Sequence, residues 1–221
     1  MTLVNHWTLD DSAADNVVVD SVGGNNGAYQ GANTEDRIVS GRIATALRFA
    51  REYILLASTI NLTPDWTITL WAKSLVESPT ATFDSQLIGD VSDINNQFYI
   101  LNGGKVAFFT NQSITVEWTD DTDFYDRWRF FTLIGTTNTM ELFLDAVSQG
   151  TKDLGASDAD FDVTSIAAGH TMASTKFTGH IDDVRIYDTA LSQKEIDALY
   201  ALGTMAIIRT SGRRKSHSMR R

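Results

Sequence analysis

Hydrophobic and polar residues alternate in short stretches along most of the chain, with turn-forming residues between them. Ala46–Phe49 and Glu52–Leu56 flank one bend. In Trp66–Ala72, Trp66, Ile68 and Leu70 share one face and Thr67, Thr69 and Trp71 the other, the period of two expected of a strand. Gln86–Gly89 and Gln97–Leu101 follow. Asn102-Gly103-Gly104 then predicts a hairpin, because its central positions accept positive φ, and Lys105–Phe109 is the returning strand. Ser113–Trp118, Arg127–Gly135 and Met140–Asp145 continue the pattern. Many short strands at this spacing predict a sandwich or barrel. The two prolines, Pro64 and Pro79, both fall between strands, as sheet pairing requires.

One helix interrupts the alternation. Ser192 precedes Gln193–Tyr200 and Glu195 stands three residues after it, the spacing of a capping box. Leu191 is placed to staple onto Ile196, and Gly203 predicts the helix's end. Thr204–Ile208 reads as one more strand or an apolar latch, followed by a basic, serine-rich terminus of the kind that is usually disordered.

The run Phe177–Ser192 contains Gly179, Ile181-Asp182-Asp183-Val184-Arg185-Ile186-Tyr187 and Ala190-Leu191-Ser192. Glu195-Ile196 and Leu199-Tyr200 follow it. Over about 24 consecutive residues this resembles the C-terminal signature of the concanavalin A-like, laminin-G-like family. Asp20–Gly27 is similar to that family's N-terminal turn, Gly41–Phe49 and Trp66–Trp71 to two of its strands, and Trp128–Asp145 to its hairpin. One departure is the turn, where the family's Asp-Gly is replaced by Asp145-Ala146, which suggests a longer loop reaching Gly150. The resemblance implies an all-β, two-sheet antiparallel jelly-roll sandwich with one short C-terminal helix, spanning residues 1–203. It also implies a module that binds glycans or proteins, often with calcium.

Charge divides the chain in the same place. Six of the 18 basic residues lie in Thr204–Arg221, which has no acid: Arg209, Arg213, Arg214, Lys215, Arg220 and Arg221. Residues 1–203 hold the other 12 basic residues against 28 acidic ones, a balance of −16. Such a body repels nucleic acid, so only the tail 204–221 could attract it or dock on an acidic subunit of a larger assembly. Cysteine is absent, which removes disulfides and thiolate metal sites. No apolar run approaches the roughly 20 residues of a membrane span, so no membrane insertion is expected. The start shows no basic region followed by an apolar stretch, so no secretory signal is expected.

Two clusters carry candidate chemistry. The turn Asp20–Gly27 offers a carboxylate, Asn25 and carbonyls, and the resemblance places it near Asp182 and Asp183, a candidate structural calcium site. In the competing reading Asp20 caps its own turn and Asp182 accepts backbone hydrogen bonds at a bulge. Trp118, Asp120, Asp121, Asp123, Phe124, Tyr125 and Asp126 put aromatic rings beside carboxylates, a composition suited to stacking on a sugar and accepting from its hydroxyls. The alternative is a solvated loop whose rings anchor it to the sheet. Of Phe98 and Tyr99, only one can face the core, and the other is a weaker glycan-face candidate. Catalysis finds little support: the glucanases of this superfamily carry E-x-D-x-E on one strand, which this chain lacks. The adjacent Asp182 and Asp183 should point to opposite faces. The expectation is a non-enzyme that binds a glycan or cell-surface ligand. It would be displayed on a virion as a decoration, spike or tail-associated protein docked through its basic tail. A free-standing carbohydrate-binding module of a secreted or cell-surface protein is the alternative.

Overall fold

The computed structural model describes residues 2–32, 34–77, 86–93, 95–101, 103–110, 115–119, 124–170 and 176–218, with backbone alone from residue 206. Two antiparallel sheets form a sandwich. The first runs in the order β14 (Val147–Asp153), β13 (Thr139–Leu144), β12 (Arg129–Thr136), β7 (Trp66–Ser74), β16 (Thr178–Tyr187), β5 (Thr45–Ala50) and β4 (Ile38–Ser40), and β1 (Leu3–Trp7) also pairs with β16. The second runs β11 (Thr115–Thr119), β10 (Lys105–Phe109), β9 (Gln97–Leu101), β8 (Gln86–Gly89), β15 (Phe161–Ile166), β6 (Ile54–Leu62), β3 (Gly27–Tyr29) and β2 (Val17–Val18). Neighbours such as β7 and β16, or β8 and β15, are far apart in sequence, the connectivity of a jelly roll. The fold class read from the sequence is the one observed.

Strand β7 shows why the alternation is amphipathic without being half-solvated. Trp66, Ile68, Leu70 and Ala72 enter the core between the sheets, where Phe108 and Phe161 meet with ring centres 4.7 Å apart and Trp66 lies about 6 Å from both. Trp71, on the opposite face, belongs to a second apolar cluster with Phe130, Ile134, Phe143 and Tyr187. Helix α1 (Gln193–Ser218) covers that cluster with Ile196 and Leu199, joined by Leu191 just before the helix. Burial of each such side chain contributes about 1.5–3 kcal/mol, so the helix is part of the fold and not an appendage.

The helix begins as its sequence predicts. Glu195 Oε2 accepts from the backbone N–H of Ser192 at 2.7 Å and from its hydroxyl at 2.6 Å. It does not end at Gly203. A Cβ at that position would lie 2.5 Å from the Trp71 indole, so the glycine permits close packing, and the backbone continues helical to Ser218. Thr204–Ile208 is accordingly helical and not a strand.

Two other local expectations are corrected. Asp145-Ala146 is a tight hairpin and not a longer loop: both residues have positive φ (52° and 66°), and Leu144 pairs directly with Val147. The Asp145 carboxylate secures it by accepting from Phe130 N at 2.8 Å. In β16 the alternation breaks. Asp182 faces Trp71 and Arg185 faces Thr69 across the ladder, so three steps on β16 match two on β7. This bulge puts Asp183 at φ 54° and leaves both aspartates between the core residues Ile181 and Val184. Gly103 and Gly104 do take positive φ (67° and 71°) between β9 and β10, and Phe98 faces the core.

Candidate functional site

The Asp20 turn is filled by protein donors. Its carboxylate accepts from Asn5 Nδ2 (2.6 Å), His6 N (2.9 Å), Val22 N (3.1 Å), Gly23 N (3.0 Å) and Asn25 N (3.0 Å). Burial would raise this carboxyl, but the hydrogen bonds from His6, Asn5, Val22 and Gly23 outweigh it and hold the pKa below the usual range. The Asn25 amide is engaged with Ser58, donating to its carbonyl and accepting from its N–H, both at 2.9 Å.

The bulge aspartates are held in the same manner. Asp182 Oδ2 accepts from Arg42 N at 2.7 Å and Ile43 N at 2.8 Å, while Oδ1 is buried without a partner. Burial pushes this carboxyl up to about 8. The two N–H donors oppose that shift, and nearby Asp183 and Asp10 add to it. Asp183 Oδ1 lies 2.8 Å from His6 Nε2 and accepts from Arg185 Nε at 3.1 Å and Nη2 at 2.9 Å. N–H donors thus occupy the positions a cation would take on Asp20 and Asp183. No group of three or more His, Asp or Glu side chains suited to a metal occurs among the described residues. The four candidate ligands Asp20, Asn25, Asp182 and Asp183 do not fit a calcium ion.

The aromatic and acidic cluster is not one surface. Trp118 is 2% exposed and donates its indole N–H to Gly150 O at 2.8 Å. Phe124 is 3% exposed and packs on Phe131, ring centres 5.7 Å apart. Both rings belong to the core and cannot stack on a ligand. Tyr125 is exposed, and exposed Asp126 accepts from Lys73 Nζ at 2.9 Å. Asp120, Asp121 and Asp123 lie outside the described residues. Of the basic tail, Arg209, Arg213, Arg214 and Lys215 stand on helical backbone, and Arg220 and Arg221 lie outside the described residues.

The surface with the most suitable geometry was not singled out from the sequence. Where β12 begins and β13 ends, an open groove of about 640 Å³ is lined by Arg42, Arg127, Trp128, Arg129, Asp145 and Gln149, with Leu144 and Val147 adding apolar area. This volume falls within the roughly 300–1,000 Å³ of small-molecule sites. Trp128 is half-buried: it packs against the cluster under α1, and its ring lies 6.0 Å from that of His180. Burial, with Lys73 and Arg48 nearby, lowers His180 to about 4, so it stands neutral there. Arg129 Nε lies 2.7 Å from Asp145 Oδ2. The Arg42 guanidinium sits 4.3 Å from the centre of the Trp71 ring. The helix fastens the adjacent turn, since Gln193 Nε2 donates to Ala146 O at 2.8 Å. The signal in the sequence was the triplet Arg127-Trp128-Arg129 in an otherwise acidic body. A second groove of about 380 Å³ includes Asn5, Asn61, Asp65 and Asp188, but its tryptophan, Trp66, is 1% exposed and offers no ring face.

Comparison with known proteins gives consistent results. A laminin-G family model, described as concanavalin A-like lectin/glucanases superfamily, matches residues 50–197. No curated protein sequence matches the chain. Among solved structures, domain 4 of the extracellular arabinanase AbnA from Geobacillus stearothermophilus, in complex with arabinotriose, is similar with a TM-score of 0.65 and 16% identity. The match covers 90% of this chain and 98% of that one. The ligand-binding domain of botulinum neurotoxin serotype D, in complex with N-acetylneuraminic acid, gives 0.63 and 14%, over 90% of this chain and 50% of that one. The binding domain of Paraclostridial Mosquitocidal Protein 1 gives 0.59 and 14%, over 90% and 51%. The chain therefore spans about half the length of those two toxin chains. At these identities the likeness is one of fold.

Proposed function

Because the chain belongs to the concanavalin A-like lectin/glucanase superfamily, we propose that it is a non-catalytic carbohydrate-binding module whose ligand lies in the Trp128 groove. The observation that carries this reading is the groove: a partly exposed indole beside fixed polar groups is the equipment for holding a sugar ring. The arabinotriose complex of the arabinanase domain, nearly all of which superimposes on this chain, supports it. Among the described residues, the adjacent carboxyl groups Asp182 and Asp183 face hydrogen-bond donors and no open cleft, which supports binding without cleavage. A glycan array tests this directly, with a sugar-release assay on every glycan bound. Retention without cleavage is expected, and release of reducing ends would overturn the non-catalytic reading.

We further propose that the basic segment docks the module onto the outside of a larger assembly such as a virion. The opposite charge of body and tail, and the helical backbone that continues through residues 204–218, support this. Replacing Arg213, Arg214 and Lys215 by Gln should release the chain from the assembly in co-sedimentation while leaving glycan binding intact. Nucleic acid bound through the tail would appear in the same experiment as retention sensitive to nuclease. The alternative is a free-standing module of a secreted protein. The arabinanase neighbour, a domain of an extracellular enzyme, favours it, and it predicts no tail-dependent association.

A further inference from the structure

The residues before Thr204 are strongly acidic, yet three of their 12 basic side chains, Arg42, Arg127 and Arg129, line one groove. The one carboxylate among its described lining residues is already committed: Asp145 accepts from Phe130 N through Oδ1 and pairs with Arg129 through Oδ2. That leaves two cations. Arg127 is exposed and makes no ion pair among the described residues, and Arg42 likewise has no carboxylate within ion-pair distance. Arg42 is half-buried with its Nε unpartnered. Its desolvation is offset in part by the face of Trp71 and, at longer range, by the Asp145 carboxylate. A guanidinium held against a ring, sharing one groove with a second, exposed guanidinium and a half-buried indole, is a preorganised anion site with a stacking platform. Guanidinium groups match carboxylates through paired N–H donors.

We propose that the groove selects an acidic saccharide. Arg127 and Arg42 hold the carboxylate of a uronate or sialate residue while Trp128 packs against its ring. This rests on the carbohydrate-binding reading above and adds the ligand's charge and the residues that read it. Gln149 supplies uncharged polar surface for the sugar's hydroxyls. The selectivity does not depend on calcium, because the groove provides the positive charge itself.

The test uses the full chain and titration calorimetry with three matched probes: a uronate oligosaccharide, its methyl ester, and a sulfated oligosaccharide of the same length. The free acid is expected to bind at least tenfold more tightly than the ester, and Arg127→Glu to cost at least tenfold, about 1.4 kcal/mol. Trp128→Ala should weaken both acid and ester, and raising the salt concentration should weaken the acid alone. Arg127 is exposed, so Arg127→Glu is expected to keep the wild-type urea midpoint even if Trp128→Ala unfolds. Equal affinity for acid and ester would overturn the acidic selection and leave carbohydrate binding standing, whereas binding of no saccharide would overturn both. Equal affinity for the sulfated probe would overturn the assignment to carboxylates. Acid binding that survives Arg127→Glu but is lost on replacing Arg213, Arg214 and Lys215 by Gln would overturn the site.

Discussion

Asp182 makes the stability of this protein depend on pH in an unusual direction. Its carboxyl is fully buried and held to about 8, against about 3.9 in an unfolded chain. Between these values the folded state keeps a proton that the unfolded state has released, so stability falls as pH rises, by about 1.4 kcal/mol per unit. His180 acts oppositely. Burial lowers it to about 4, so it adds stability as pH rises towards the ordinary histidine value of about 6.5 and nothing beyond. Above pH 6.5 the Asp182 effect is therefore unmasked. From pH 6.5 to 8 it amounts to roughly 1–2 kcal/mol, less than the full slope because the folded carboxyl itself begins to ionise. Asp182→Asn keeps an oxygen for the N–H groups of Arg42 and Ile43 and cannot ionise. Urea unfolding at fixed temperature, in a chelator and at half-unit pH steps, should show wild-type stability falling over this window and the variant flat. Variant stability should still rise from pH 4 to 6.5 through His180. Parallel wild-type and variant curves between pH 6.5 and 8 would mean that Asp182 does not hold a proton in the folded state.

Asp20→Asn should destabilise by about 3 kcal/mol, since four backbone N–H groups share that carboxylate and an amide offers them one acceptor oxygen and an opposing donor. Because N–H donors fill the site, adding calcium or a chelator should leave the melting temperature unchanged. A rise that saturates with calcium would contradict this, since a ligand of the folded state must stabilise it. Gly203→Val should cost about 1–3 kcal/mol and perturb the near-ultraviolet dichroism of Trp71, because the added carbons meet its indole. An unchanged spectrum and midpoint would mean that the helix does not pack there.

The sequence carried those features that depend on local chemistry. Glycines at 103 and 104 specified a turn that few other residues accept, and Ser192 with Glu195 announced the helix start. It was less informative wherever the outcome depended on a distant partner. Gly203 has the same local meaning as a helix stop or as a close-packing residue, and only Trp71, far away in sequence, decides between them. Trp118 and Phe124 stand among acids, which suggested a sugar platform. Alternation does not say which face of a strand meets the other sheet, and both rings are in the core. The period of two placed Asp182 and Asp183 on opposite faces, but the bulge against β7 adds a residue that no periodicity reveals. The groove was hidden for a related reason. Arg42 joins Arg127 and Trp128 only because the turn before β5 folds onto the start of β12. Asp145, which neutralises Arg129, arrives from the opposite end of a hairpin.

The sandwich is proposed to bind a saccharide in the groove beside Trp128. A crystal structure of the full chain soaked with an oligosaccharide selected from a glycan array tests it most directly. A sugar ring against the Trp128 indole, with an acidic group at Arg127 and Arg42, is expected. A saccharide bound elsewhere on the sandwich, with the groove filled by solvent, would contradict it.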